Sequence, residues 1–207
     1  MKGSPAALKS PEIPAASTCA ADELERLYWD CVQSTKGRLT RWFTVPFSLS
    51  FAIIAFYRLN RAAYLTFGKK WQAFRILTSP LNPLIRIFIP SQIDYRADIG
   101  PGMRILHPEL GVVVNQGFRA GRGLILAGGN CIGDGSPAVG NWVHVGANAT
   151  IMGDVTLGSS VRIGAGAVVV KDFDGPGVLV GVPARPVDRR TGAASGTTLI
   201  DEADLAV

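Results

Sequence analysis

A six-residue repeat of aliphatic positions dominates the second half of the chain. The repeated position is occupied by Val139, Val145, Ile151, Leu157, Ile163 and Val169. Because Val, Ile and Leu make up roughly a quarter of the chain, six matches in a chosen register arise by chance about once in four thousand trials. A short, strict period of this kind indicates a solenoid of stacked repeats.

Two further positions of the repeat are also restricted. Glycine follows the aliphatic residue at Gly140, Gly146, Gly158 and Gly164, and a small apolar residue lies four places after it at Val143, Ala149, Val155, Val161 and Ala167. Each unit is then one short strand and one turn, and three units make a triangular coil with the aliphatic column inside. Small residues suit corners where backbones crowd. The column extends upstream through Ile93, Ile99, Ile105, Val114, Ala120, Leu126 and Ile132. These patterns predict an all-β parallel β-helix over residues 93–187.

The repeat is interrupted twice. Ile105 and Val114 are nine residues apart, and Ile132 and Val139 are seven apart, so extra residues leave the coil at HPELG and at GDGSP. Such departures from a repeat scaffold are favoured places for function. His107, one of the two histidines, lies in the first.

The segments outside the repeat have their own patterns. Residues 1–21, rich in Ala, Ser and Pro, are predicted to be a disordered leader, and residues 188–207 a flexible tail. Residues 22–92 are predicted to be a helical, basic segment. Its first helix is expected to be capped by Asp22, to carry Glu23 and Glu25 in its first turn, and to run to about Gln33.

Charge is distributed unevenly along the chain. The formal net charge is +5, but residues 1–92 hold twelve Lys and Arg against five Asp and Glu. No acidic residue lies between Asp30 and Asp94, whereas nine basic residues do: Lys36, Arg38, Arg41, Arg58, Arg61, Lys69, Lys70, Arg75 and Arg86. This segment is expected to seek an anionic partner.

Residues 43–88 alternate between apolar and cationic positions. The longest uncharged stretch, 42–57, contains Pro46 and is shorter than the roughly 20 residues that span a bilayer, so no spanning helix is expected. Two interpretations stay open. The helices pack on the main domain or on another subunit, or they form an interfacial surface. In the second case Phe47, Phe51, Phe56 and Trp71 enter the membrane boundary beside Arg and Lys.

The cysteines and the N-terminal residues indicate the cellular compartment and the kinds of partner to expect. The three cysteines are far apart, odd in number and lack C-x-x-C spacing, which indicates neither a zinc knuckle nor a disulfide framework. A reducing, cytoplasmic compartment is expected, and no secretory signal is visible. No nucleic-acid-binding module is recognisable, so we expect no nucleic-acid partner.

Three stretches of residues 93–187 carry a family likeness: IGPGMRILHPELGVVVN, VGNWVHVGANATIMGDVTLGSSVRIGAGAVVVKD and GVPARPV. They resemble the serine acetyltransferase branch of the hexapeptide-repeat acyltransferases. Together with YRLNR ahead of the repeats, they are most similar to acetyltransferases of colanic acid and exopolysaccharide biosynthesis. The resemblance implies a left-handed β-helix with an N-terminal α-helical segment, assembly as a homotrimer, and acetyl-CoA as acyl donor without a metal.

The resemblance also implies that His107 is the general base. An imidazole titrates near neutral pH, so it can take the proton of a hydroxyl as that hydroxyl attacks a thioester. Backbone N–H groups of neighbouring coils would hold the oxyanion. The alternative for His107 is a surface histidine without a role. His144 is expected to be structural, with a position at the edge of the CoA pocket as its alternative.

The family's CoA contacts fall on Ala147, Ala165, Lys171 and Arg185 in this chain. Lys and Arg are natural partners of phosphate. For the two alanines, the alternative is that any repeat coil favours a small residue there.

Two departures from the serine-specific pattern bear on the acceptor. Leu106 stands where those enzymes carry an acidic residue, and Gly135, Ser136 and Pro137 stand where they carry Arg-His-Pro. Without these charged anchors, recognition of free serine is weakened and a sugar hydroxyl is favoured. His107 also loses its usual orienting carboxylate, which only Glu109 or Asp94 would replace, if the fold brings either one close.

The sequence therefore predicts a cytoplasmic O-acetyltransferase acting on a small-molecule or lipid-linked sugar, or on a polysaccharide precursor, with peripheral membrane contact as a further hypothesis. A serine O-acetyltransferase is one alternative. A non-catalytic β-helix subunit is another, because Ser136 replaces the second family histidine. A zinc hydratase on the same scaffold needs three histidines, and the chain has two.

Overall fold

A computed structural model describes residues 19–35, 48–81 and 90–187. The predicted tail, most of the predicted leader, and four of the nine basic residues lie outside these ranges. Those four are Lys36, Arg38, Arg41 and Arg86.

The core of the molecule is a parallel solenoid of short strands. The strands are β1 Gln92–Ile93, β2 Asp98–Ile99, β3 Arg104–Ile105, β4 Val112–Val114, β5 Arg119–Ala120, β6 Ile125–Leu126, β7 Asn130–Gly133, β8 Ala138–Val139, β9 His144–Val145, β10 Thr150–Met152, β11 Thr156–Leu157, β12 Val161–Ile163, β13 Val168–Val169, β14 Gly177–Val180 and β15 Arg185–Pro186. Sheet A has the order β1-β4-β7-β10-β13, sheet B the order β11-β8-β5-β2, and sheet C the order β15-β14-β12-β9-β6-β3. All neighbours are parallel except β14 and β15.

From β1 to β13, successive strands lie in sheets A, B and C in turn, which confirms the triangular coil of three repeat units. Pairing aligns the predicted column in register, for example Leu126 with Val145 and Val145 with Ile163. The six repeat positions from Val139 to Val169 are all buried, and so are Ile99, Leu126 and Ile132 upstream. The interior of the solenoid is therefore the hydrophobic core that the six-residue period predicts.

Corner glycines are required where adjacent coils touch. A Cβ added to Gly146 would lie 2.7 Å from the backbone N of Ala165 and 2.7 Å from the carbonyl O of Ile163. Neither backbone atom can move aside without disturbing the next coil, so this corner excludes a side chain.

The two interruptions leave the coil at different corners. HPELG lies between β3 and β4 and forms a short 3-10 turn, Pro108–Leu110. GDGSP lies between β7 and β8. The first precedes a strand of sheet A and the second follows one, so they lie at opposite edges of sheet A.

Helices precede the solenoid, which confirms the predicted N-terminal helical segment. Those in the described ranges are α1 Ala20–Thr35, α2 Leu49–Phe67 and α3 Lys69–Leu77, followed by a 3-10 turn Ser79–Leu81. The prediction that Asp22 caps α1 is wrong, because the helix begins at Ala20 and Asp22 lies in its first turn, where the helix dipole still favours a carboxylate. Ser48 caps α2 by accepting the N–H of Phe51 at 3.2 Å. No helix among the described residues is long and apolar enough to cross a bilayer.

A buried ion-pair network fastens α1 and α2 to each other and to the first coil. Arg58 pairs with Asp30 at 2.9 Å and with Glu23 at 3.0 Å. Arg61 pairs with Glu23 and with Asp98 of β2, both at 3.0 Å. Assigning Arg58 and Arg61 to a surface that seeks an external anion is therefore wrong, because both are buried and paired with acids at or beyond the ends of the acid-free stretch from Asp30 to Asp94.

The same side chains bond to the outer edge of β2, which is an edge strand of sheet B in the described part of the chain. Arg58 donates to the carbonyls of Ile99 at 2.6 Å and Gly100 at 2.7 Å. Burial raises the pKa of Tyr57 to about 12, so the phenol keeps its proton and donates to the carbonyl of Ala97 at 2.8 Å. Guanidinium and phenol groups thus take the place of a preceding coil.

Candidate functional site

His107 stands at the corner where sheet C turns into sheet A. Its backbone N–H donates to the carbonyl of Ala127 in the next coil at 3.0 Å, and its own carbonyl accepts the N–H of Leu110 at 3.2 Å. These bonds fix the backbone while the side chain stays 60% exposed. The imidazole is therefore held at a defined place and remains accessible to a substrate.

Glu109 lies against the ring. Its Oε1 is 3.2 Å from Nδ1 of His107, because the 3-10 turn brings the residue two places further on back towards the histidine. Asp94, the other candidate, instead pairs with Arg96 at 3.1 Å. With the Nδ1 proton donated to Glu109, Nε2 keeps its lone pair and is able to accept a proton.

A column of corner residues continues from His107 through the following coils. The register of β3, β6, β9 and β12 aligns His107 with Gly128, Ala147 and Ala165. Corner hydrogen bonds agree, since Asn148 N–H donates to Gly128 O at 2.9 Å and Gly166 N–H to Ala147 O at 2.8 Å. Three coil spacings separate the two ends, about 14 Å. The two predicted CoA alanines therefore share one corner with His107.

Among the described residues, the backbone N–H groups of Ala147 and Ala165 have no hydrogen-bond partner. Ala165 is exposed and Ala147 half-buried. Unpaired N–H donors in adjacent coils, at the same corner, suit an extended ligand that carries carbonyl acceptors.

Gly128, in the next coil, lies directly against the backbone of His107. Its φ is +123°, and a Cβ there would lie 2.5 Å from the carbonyl O of His107. The buried Asn130 holds this turn, because its Oδ1 accepts the N–H of Gly128 at 2.9 Å and its Nδ2 donates to Gly146 O at 2.7 Å. Sequence reasoning did not single out Asn130. The sequence does contain a signal for it, because an asparagine stands two residues before Ile132, where the repeat predicts a strand.

The two predicted basic CoA contacts lie apart. Arg185 is on β15, opposite Val180, and Ala184 beside it donates to Val168 O at 2.7 Å, so Arg185 lies at the last level of the His107 corner. Lys171 follows β13 and lies at the opposite edge of sheet A. Both side chains are exposed. Within a single chain, however, Lys171 lies away from the other predicted CoA contacts, Ala147, Ala165 and Arg185.

His144 lies on the outer face of sheet C, not in the corner column. It is aligned between Ile125 and Arg162, and its Nε2 is buried without a partner in the described part of the chain. Burial lowers the pKa of His144, and the charges of Arg162 and Arg104 lower it further. The ring is therefore neutral at neutral pH.

Within residues 19–35, 48–81 and 90–187, no three His, Cys, Asp or Glu side chains are grouped as metal ligands. Ser136, from the second interruption, is exposed, and its backbone N–H donates to Asp154 at 2.7 Å. It lies at the edge of sheet A opposite His107.

No protein-family model matches the sequence, and no curated protein matches it. Solved structures do match. One is from Neisseria gonorrhoeae, with 26% identity and a TM-score of 0.67, covering 81% of this chain and 68% of that chain. A soybean apoenzyme also shares 26% identity, with a TM-score of 0.65, covering 81% and 69%. A third, described in complex with CoA, shares 24% identity, with a TM-score of 0.67, covering 81% and 70%.

These solved structures are serine acetyltransferases. They confirm the left-handed parallel β-helix fold and, because they are acyltransferase enzymes, the predicted enzyme class. They do not bear on the likeness to colanic acid and exopolysaccharide enzymes, which stays a prediction.

Proposed function

We propose that this protein transfers an acetyl group from acetyl-CoA to a hydroxyl of a sugar or polysaccharide precursor, with His107 as general base. The contact of His107 Nδ1 with Glu109, at the head of the corner column, carries the proposal. Nε2 takes the hydroxyl proton while the oxygen attacks the thioester carbonyl. The tetrahedral intermediate then collapses, the C–S bond breaks, and the imidazolium returns the proton to the leaving thiolate.

The donor site is proposed along the same corner. The open N–H groups of Ala147 and Ala165 would pair with the amide carbonyls of the pantetheine arm. Arg185, at the last level, would meet phosphate. A serine acetyltransferase of the same fold is described in complex with CoA, which supports a CoA thioester as donor.

A homotrimer packed through sheet A would complete the site. The strands of sheet A contain no charged residue, whereas those of sheets B and C contain Asp98, Arg119, Arg104 and Arg162. Sheet A also exposes Val113 and Met152. Threefold packing of this face would set the His107 edge of one copy against the edge of the next copy that carries Lys171 and Ser136.

The acceptor is the finer part of the proposal. The comparisons support serine equally well as the acceptor, since the solved structures above are serine acetyltransferases. Beside the candidate base, however, Leu106 is neutral and exposed, and in the second interruption Gly135 and Ser136 stand where the serine enzymes carry Arg and His. Free serine carries two opposite charges that need partners, and a sugar hydroxyl carries neither.

An acceptor screen with labelled acetyl-CoA tests the proposal. We expect transfer to sugars and poor transfer to free serine. His107→Ala should lower the rate by about 10²-fold or more, and His144→Ala, on the face of sheet C, should lower it far less. Efficient formation of O-acetylserine would overturn the sugar assignment and leave the mechanism in place. A chain that does not bind acetyl-CoA would be a non-catalytic β-helix.

A further inference from the structure

Helix α2 carries apolar side chains on its outer face as well as on its buried face. The buried face, which holds the helix on the first coil, combines apolar and charged side chains: Ile53, Ile54, Tyr57, Arg58, Arg61 and Ala62. Its solvent-facing side is apolar at helical spacing: Leu49, Ala52, Phe56, Leu59 and Phe67. The side chains of Leu59 and Phe67 are 54% and 58% exposed. A surface helix normally turns a polar face to water, so an apolar outer face is unusual.

Helix α3 carries further exposed apolar side chains: Phe74 is 51% exposed, and Ile76 and Leu77 are 75% and 77% exposed. It folds back beside α2, since Arg75 donates to Oδ1 of Asn60 at 2.7 Å. Since α2 has 19 residues and rises 1.5 Å per residue, the surface is about 28 Å long. We call this surface, residues 49–77 on the side facing away from the solenoid, the apolar ridge. Soluble proteins rarely leave so large an apolar surface uncovered.

The charges beside the ridge have one sign. Lys69 and Lys70 are exposed where α2 gives way to α3, and Arg75 follows one turn later. No acidic residue occurs between Asp30 and Asp94, so nothing on α2 or α3 repels an anionic surface. Exposed Phe, Leu and Ile beside lysines complement the boundary between lipid headgroups and acyl chains.

We propose that the apolar ridge docks this protein on an anionic phospholipid bilayer. The helices lie in the plane of the interface and do not cross it. Of the four aromatic residues expected at this surface, Phe56 is exposed, Phe51 and Trp71 are half-buried, and Phe47 lies outside the described residues. Trp71 stacks on Phe74 with ring centres 5.3 Å apart, which ties it to the ridge.

The ridge and the candidate active site are neighbours. Near the start of α2, the Ser50 hydroxyl donates to the carbonyl of Ile105 at 2.7 Å, two residues before His107. The 3-10 turn Pro108–Leu110 packs against α2, and Leu106 and Leu110 are exposed beside it. Resting on the proposed function, this placement implies an acceptor hydroxyl presented by a membrane-anchored molecule.

Vesicle flotation of the full chain tests the docking independently of catalysis. The probes are vesicles of phosphatidylcholine alone and vesicles that also contain phosphatidylglycerol, each at low and high salt. We expect binding to the anionic vesicles that weakens at high salt. Leu59→Glu should reduce the bound fraction several-fold.

Leu24→Glu is the matched control. Leu24 is 53% exposed on α1, so it has the same side chain and exposure as Leu59 outside the ridge. This variant should bind like the unaltered chain, and both variants should keep the helical circular dichroism. Equal binding of the two variants, or no flotation at either salt, would overturn the proposal. So would a change in sedimentation on Leu59→Glu, because the ridge would then contact a second copy of the chain.

Discussion

At the scale of single residues, the candidate site depends on how one turn is folded. The 3-10 turn places Glu109 against Nδ1 of His107. Gly128, in the next coil, has no side chain that would collide with the His107 carbonyl. Neither residue would contact the substrate in the proposed reaction. Each instead sets where Nε2 points, and general-base catalysis is sensitive to displacements of about 1 Å.

The first prediction concerns Gly128→Ala. The new Cβ would collide with the His107 carbonyl, so we expect the rate of acetyl transfer to fall by up to about 10²-fold. Gly153→Ala is the control, because Gly153 has a φ of +81° but open space around its Cβ position. Both variants should lose stability through backbone strain, measured by thermal unfolding. If both also lose the same activity, strain alone explains the effect and His107 is not displaced.

A second residue-scale prediction concerns His144. Its pKa is lowered in the folded chain by burial and by Arg162 and Arg104, so the unfolded chain takes up the proton at higher pH. The free energy of unfolding should therefore be at its full value above the ordinary pKa of 6.5 and decrease as the pH falls through it. His144→Gln should remove this decrease, measured by urea unfolding across that range. An unchanged slope would mean that another group titrates.

At the scale of elements, the helices are held on the solenoid by charge pairs as well as by apolar contact. Arg58 is buried and bonds to Asp30, Glu23 and two carbonyls of the first coil. A buried ion pair adds little stability compared with a well-packed apolar pair, but loss of one partner leaves the others uncompensated.

We therefore expect Arg58→Met to lower the free energy of unfolding by about 3–5 kcal/mol. Arg96→Met removes an exposed pair with Asp94 and should cost less than about 1 kcal/mol. Urea unfolding measures both. If the two variants lose similar stability, the network does not hold α1 and α2 in place.

The elements also show how far the sequence predicts the molecule. The interior column, the corners and the two interruptions follow from a local repeat, so six-residue spacing was enough to place them. The burial of Arg58 and Arg61 was not predictable by counting charges along a segment, because Glu23, Asp30 and Asp98 lie outside that segment. The choice between Glu109 and Asp94 likewise depended on the fold of one turn. The roles of Ala147, Ala165, Lys171 and Arg185 stay predictions.

At the scale of the whole molecule, sheet A is the face suited to contact between copies. Cys131 is exposed at the middle of this face, paired in register with Val113 and Thr150. Cys19, just before α1, is also exposed, and it is far from Cys131 along the chain. The two thiols therefore report on different surfaces.

We expect light scattering to give the mass of a trimer and Cys131 to react with an alkylating reagent much more slowly than Cys19. Burial of Cys131 between copies would be the cause. Val113→Lys, which places a charge on the same face, should yield monomers and expose Cys131 to the reagent. A monomeric unaltered chain, or equal reactivity of the two cysteines, would contradict assembly through sheet A.

Nothing in coil stacking itself limits the number of coils that can be added. The hydrogen bonds from α2 to β2 matter here because they cover the first coil. An uncovered first coil would offer its backbone groups to the last coil of another molecule, and such templating leads to fibres. Tyr57, Arg58 and Arg61 occupy those groups, and at the far end β15 runs against the direction of the stack. The helices thus close one end of the stack, and a chain shortened to residues 93–187, which keeps β15 but loses the helices, should associate through its uncovered first coil.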